Sequence, residues 1–116
     1  MTEEKPFIKK LSDIPIEDAH GGSGKRQLIL SQEDHVSEQL QAMTKGFLSA
    51  GEAFDWHKHE GLDELFFVIK GDGLVEFREI QGMSYANEDV VYVPSNIEHK
   101  ITAQKDTEFI FIRLNR

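Results

Sequence analysis

The stretch Gly51-Glu-Ala-Phe-Asp-Trp-His57-Lys-His59-Glu-Gly-Leu-Asp-Glu64-Leu-Phe-Phe-Val-Ile-Lys70-Gly71 carries both the architecture of this chain and its chemistry. Side chains alternate across a strand, so Glu64, Phe66 and Val68 fall on one face and Leu65, Phe67 and Ile69 on the other. Both faces are apolar, and the run Phe109-Ile110-Phe111-Ile112 repeats the pattern. A strand with one face in water would alternate apolar with polar. One face therefore fills a closed interior, and the other is expected to be covered by the N-terminal arm or by a second subunit. A homodimer is the expected state.

Working outward, turn residues recur at close intervals, the spacing of an all-β sandwich or barrel. Strands are predicted near Lys25–Leu30, Ala42–Ser49, Asp55–Lys58, Glu64–Lys70, Leu74–Ile80, Asp89–Val93, Glu98–Thr102 and Thr107–Leu114. Gly71-Asp72-Gly73 reads as a tight hairpin, since glycine accepts positive φ. Gln81-Gly82, Pro94-Ser95-Asn96 and Lys105-Asp106 supply further turns. One short helical turn is predicted after Ser31, with Asp34 at N3 of a capping box and Val36 and Leu40 on one face. Residues 1–24 read as a polar N-terminal arm with Pro6 and Pro15, ending in the flexible stretch His20-Gly21-Gly22-Ser23-Gly24. Residues 25–116 are the β-barrel domain.

Composition narrows the function. The chain has 116 residues, 39% of them hydrophobic and 29% charged, values for one ordinary globular domain. No run reaches the roughly 18 apolar residues of a membrane span. Met1–Lys10 has no apolar core of a secretory signal, so the cytoplasm is the expected compartment. With no cysteine, disulfides, thiolate metal sites and cysteine nucleophiles are excluded. Thirteen basic residues stand against twenty-one acidic ones, net −8. Nucleic acid demands a cationic stripe and anionic membrane demands basic clusters; Lys25-Arg26 is too small for either. Gly21-Gly-Ser-Gly-Lys25-Arg26 superficially suggests a phosphate loop. Ala19 and Arg26 stand where its glycine and its magnesium-binding hydroxyl belong, so that reading fails.

His57 and His59 are two residues apart, so on a strand they share a face about 6.6 Å apart along the chain, close enough to converge on one ion. A turn at Glu60–Asp63 reverses the chain, and Glu64 opens the next strand with a carboxylate at the same point. His99, just beyond the turn at Pro94-Ser95-Asn96, is the candidate fourth ligand.

The pattern G-x5-H-x-H-x4-E-x6-G, met at Gly51, His57, His59, Glu64 and Gly71, matches the first motif of the cupins with every spacing correct. Their second motif, G-x5-P-x-G-x2-H-x3-N, is met at Pro94 and His99, while its glycines fall on Glu88 and Asn96 and its asparagine on Ala103. Asparagine also visits the left-handed region, so Asn96 is a tolerable replacement. From Lys25 onward the chain resembles a small single-domain cupin. The resemblance implies a jelly-roll barrel (a double-stranded β-helix) with one divalent metal ion on His57, His59, Glu64 and His99.

Three imidazoles and a carboxylate suit Mn, Fe, Co, Ni, Cu or Zn. Six-coordinate ions would keep two positions open to water, dioxygen or substrate; tetrahedral zinc would be closed. Parity with Glu64 or His99 puts Phe66, Val68, Ile97 and Ile101 on the pocket walls. From the strand at residues 42–49, either Thr44 or Lys45 faces the pocket, and a lysine would imply an anionic ligand. Asp55 shares the parity of His57 and is a candidate to orient an imidazole; Trp56 points the other way, to outer packing or an interface. His20, His35, Glu60 and Asp63 read as solvated or turn residues. No general base beyond Glu64 is evident, leaving a water on the ion for that task. The family resemblance implies a metalloenzyme acting on a small oxygenated substrate such as a sugar, keto acid, dicarboxylate or diol, of dioxygenase, decarboxylase or isomerase type. The alternative is a barrel that binds or senses a small sugar-like ligand without turnover.

Overall fold

Turn residues cut the chain into ten strands among residues 5–116, the part described by the computed structural model. They are β1 (Glu17–Asp18), β2 (Lys25–Ser31), β3 (Leu40–Leu48), β4 (Ala53–His57), β5 (Leu62–Lys70), β6 (Gly73–Phe77), β7 (Met83–Tyr85), β8 (Val90–Val93), β9 (His99–Ala103) and β10 (Thr107–Asn115). Two antiparallel sheets result, one in the order β1-β2-β3-β10-β5-β8 and the other β4-β9-β6-β7. The double alternation predicted for β5 and β10 is realised. Phe66, Val68, Phe109 and Phe111 are buried between the sheets, against Phe54, Val75, Phe77 and Ile101 from the second sheet. The rings of Phe54, Phe66, Phe109 and Phe111 meet at centroid distances of 5.3–6.0 Å, tilted or edge-on, as aromatic quadrupoles prefer. This jelly-roll barrel is the predicted fold.

The turn at Gly71 departs from expectation. β5 and β6 lie in different sheets, so Gly71-Asp72 is a corner between sheets and not a hairpin. Gly71 has φ +114°, and a Cβ there would collide with Thr107, which is why only glycine serves. Strand β6 also stops at Phe77, short of the predicted Ile80, and the short pieces β1 and β7 went unseen. Two or three residues are too few to show a period. The capping box forms as read: Ser31 Oγ accepts from Glu33, and Asp34 accepts from the Ser31 amide. The turn is a single 3-10 turn, however, because His35 goes left-handed (φ 52°). Val36 is then exposed and Leu40 belongs to β3, so they share no helical face.

Residues 1–4 of the predicted arm lie outside the described residues. The rest is tied to the barrel. Gln27 donates to the carbonyls of Leu11 and Ile14 at 2.9 Å each, and Glu17 and Asp18 pair with Arg26 and Lys25. The glycine-rich stretch read as flexible is hydrogen-bonded to β4: Gly22 bridges Phe54, and Ser23 exchanges bonds with Ala53. The arm thus covers β2, while the outer face of β5 and β8 stays open, with Val90 67% and Tyr92 52% exposed beside Phe67 and Ile69. No helix among the described residues is long and apolar enough to cross a membrane.

Both odd residues of the second motif have the backbone a glycine would supply. Glu88 has φ 69° and Asn96 has φ 67°.

Candidate metal centre

Three strands and one turn deliver the four candidate ligands, so His57 and His59 do not share a strand as their spacing suggested. His57 ends β4 opposite His99 of β9, Glu64 lies near the start of β5, and His59 sits in the turn between β4 and β5. Their donor atoms all lie within 4.8 Å of one another. Glu64 is 4% exposed and His99 0%, so these groups have left water almost entirely.

The donor chemistry fits a divalent cation. His57 Nδ1 donates to the carbonyl of Asp55 at 2.6 Å, and His99 Nδ1 donates to that of Ile97 at 2.9 Å. Each bond places the proton on Nδ1 and leaves a bare Nε2 lone pair facing inward, the usual arrangement of a ligating imidazole. Glu64 stands 3.3 Å from His59 Nε2 and 3.4 Å from His99 Nε2. Neither contact has hydrogen-bond alignment, and Glu64 Oε1, His59 Nε2 and His99 Nε2 are buried with no hydrogen-bond partner among the described residues. Buried polar atoms without partners cost about 1–3 kcal/mol each, and more when charged. A cation at their centre removes that cost.

Electrostatics agree. In the metal-free chain burial acts to raise the Glu64 pKa, but the facing His59 and His99 rings, when protonated at Nε2, outweigh it and hold the carboxyl below its usual range. For His57 burial dominates and lowers the pKa, keeping the ring neutral as a ligand must be.

The turns around the site are pinned. Asp63 accepts from the Ser95 amide at 3.0 Å and from Arg116 at 2.9 Å, and the Asn96 amide donates to the His59 carbonyl at 3.0 Å. Asp63 is thus a clamp between the two ligand-bearing turns, more than a solvated residue; Glu60 is exposed. The side chain of Asp55 accepts from the Trp56 amide, so it is the carbonyl of Asp55 and not its carboxylate that orients His57. A bulge between Phe54 and His57 explains the miss, because one extra residue reverses parity and sends Phe54 inward in place of Asp55. Trp56 packs outside, under the Arg78 guanidinium at 3.9 Å.

A cavity of about 280 Å³ opens beside His57, His59 and Glu64. Of the four predicted wall residues only Ile101 lines it. Phe66 and Val68 lie deeper, within the core, and Ile97 packs against the core without lining the cavity. The cavity extends toward β3 and β10, where Thr44, Gly46, Phe111 and Arg113 border it together with Phe54 and Arg26. Thr44 is the inward residue of β3; Lys45 faces out and pairs with Glu108 at 3.0 Å. Parity along β10 places Phe109, Phe111 and Arg113 on one face, a signal for Arg113 that the sequence reading passed over. His20 is exposed, as expected, and also borders the cavity rim.

The family model for the cupin domain matches residues 47–114, more than half of the chain and including all four candidate ligands. The chain belongs to the cupin family. This cupin is 32% identical over 47 residues to the uncharacterized protein YdbB of Bacillus subtilis (strain 168), a match covering 40% of this chain and 42% of that one. Less than half the length of that curated relative is therefore spanned. Among solved structures, a predicted oxalate decarboxylase from Thermotoga maritima superposes with TM-score 0.80 at 23% identity, over 95% of this cupin and all of that chain. Ectoine synthase from P. lautus superposes with TM-score 0.81 at 13% identity, over 95% and 78%. At such identities the likeness establishes the fold.

Proposed function

We propose that this cupin is a small metalloenzyme whose single divalent ion, held by His57, His59, Glu64 and His99, presents a small oxygenated substrate to the cavity. The carrying observation is the set of buried, partnerless donor atoms on His59, Glu64 and His99, with a His57 ring nitrogen within 4.8 Å of them. A bound ion would supply Lewis acidity toward substrate oxygens. The chain's own contribution is positional. The Asp55 and Ile97 carbonyls fix the imidazole tautomers, while Phe54, Ile101 and Phe111 keep the approach dry. The similar folds described as a predicted oxalate decarboxylase and an ectoine synthase support enzymatic use of such a barrel.

The test is metal analysis and turnover on one preparation. Wild type should carry about one ion per chain, and His57→Ala/His59→Ala should carry none while staying folded. Fe(II)- or Mn(II)-loaded protein should consume dioxygen or release carbon dioxide from at least one member of a panel of dicarboxylates, keto acids and diols, or isomerise a sugar. Inertness of every metal form would replace the enzyme with a ligand-binding module.

The open outer face of β5, β8 and β10 supports a homodimer. Phe67 pairs across strands with Val90 and Ile110, and Leu65 with Tyr92 and Ile112, forming a continuous apolar surface. Sedimentation should give a dimer at micromolar concentration, and Phe67→Lys/Tyr92→Lys a monomer.

A further inference from the structure

We infer that the cavity selects an anion, and that Arg113 is the side chain that grips it: the substrate of the site carries a carboxylate besides the oxygens that approach the ion. The inference rests on the metal-centred reading above and adds the charge of the ligand.

Arg113 lies on the inward face of β10, in register with Ala42 on one side and Glu64 on the other. Neighbours so paired stand about 4.5–5.5 Å apart at Cβ, so Arg113 rises beside the proposed ion. The small Ala42 leaves it room. Its Nε is buried without a hydrogen-bond partner, and among the described residues no carboxylate lies within ion-pair distance of its guanidinium. Arginine is always charged and offers five donors in a fork that fits a carboxylate. Leaving one such donor inside the wall with nothing to bind is costly unless a ligand completes it.

The balance of charge in the cavity points the same way. Arg26, Lys58 and Arg113 border it, and among the described residues Glu64 is the single acid to do so. A dication on Glu64 and neutral imidazoles leaves the centre positive, and Arg113 adds to it. Arg26 is partly satisfied, since its Nε donates to Glu17 at 2.9 Å, so Arg113 is the stronger anchor. A cationic cavity in a chain of net charge −8 favours a small anion over a neutral sugar or diol. The buried Thr44, also on the wall, offers a hydroxyl beside it. With a cavity of about 280 Å³, a short dicarboxylate or keto acid is the class that fits.

The test is calorimetric titration of malonate, with neutral 1,3-propanediol as control, into metal-loaded and metal-free protein. Wild type should bind malonate more tightly than the diol. Arg113→Gln should weaken malonate by roughly ten- to a hundredfold, leave the diol unchanged and keep the same metal content. Arg113→Lys, which keeps the charge and loses the fork, should fall between. Arg113→Met keeps the aliphatic stem and serves if the glutamine variant does not fold. Malonate affinity unchanged in these variants, or absent in wild type, overturns the inference while metal content leaves the metal centre standing. Arg113-dependent malonate binding by a protein that takes up no metal would uphold the anion site and remove the metal reading.

Discussion

Glu88→Gly should stabilise this cupin, because it removes a backbone cost without removing a contact. Glu88 sits at φ 69°, in the left-handed region, at a position where the family motif has glycine. For a residue with a Cβ that conformation costs about 1–2 kcal/mol. Replacing it by glycine returns about 0.5–1 kcal/mol through the greater freedom of the unfolded chain. The balance is a gain between about 0 and 1.5 kcal/mol, centred near about 0.75 kcal/mol, or about 2–4 °C in a domain of this size. Nothing else should change. The amide of residue 88 donates to the Val68 carbonyl at 2.7 Å whatever the side chain, and Asp89 holds the loop through the Ala86 amide at 2.8 Å. The Glu88 side chain is exposed and pairs with none of the described residues. Glu88→Ala is the control, since alanine keeps the Cβ and should leave stability unchanged. Urea denaturation of the three proteins, metal-free and metal-loaded, measures the differences. An alanine variant stabilised as much as the glycine variant, or a glycine variant less stable than wild type, would refute the reasoning.

Asn96→Gly should gain less than Glu88→Gly in the same assay, because asparagine already tolerates its φ of 67°. Gly46→Ala should cost about 1–3 kcal/mol in denaturation midpoint, since its Cβ would lie 2.6 Å from Phe111 Cε2 and 3.3 Å from Phe54 Cζ in a packed aromatic cluster; an unchanged midpoint would contradict that packing. Acid should act on fold and metal together. The lowered His57 pKa means the unfolded chain binds the proton first, so metal-free stability is full above about pH 6.5 and falls as pH drops from there toward the folded value. The lowered Glu64 pKa adds a second loss as pH falls below the ordinary carboxylate pKa of 4.5. Metal content followed by stepped dialysis should drop below about pH 6.5; a protein still fully loaded near pH 4 would contradict ligation by these histidines.

What the sequence revealed and what it hid follow from how local each signal is. Apolar alternation in β5 and β10 depends on neighbouring residues, so it revealed the barrel and the apolar character of both faces of these strands. The four donors were legible because they fall on the ligand positions of two family motifs; local spacing alone brings together only His57, His59 and Glu64. The cavity wall was not. It depends on the bulge after Phe54, which reverses parity, and on β3 and β10 bordering the cavity, which no single strand announces. Gly71-Asp72 misled for a similar reason: a corner and a hairpin demand the same φ, and only the pairing of β5 with β10 and β6 with β9 separates them.

The central claim is that one ion sits among His57, His59, Glu64 and His99. X-ray absorption at the metal edge of protein loaded with one equivalent of Mn(II) or Fe(II) addresses it directly. The spectrum should show a nitrogen and oxygen shell at about 2.0–2.2 Å with the multiple-scattering signature of about three imidazoles, lost in His57→Ala/His59→Ala. An ion surrounded by water oxygens alone, with no imidazole signature, would contradict it.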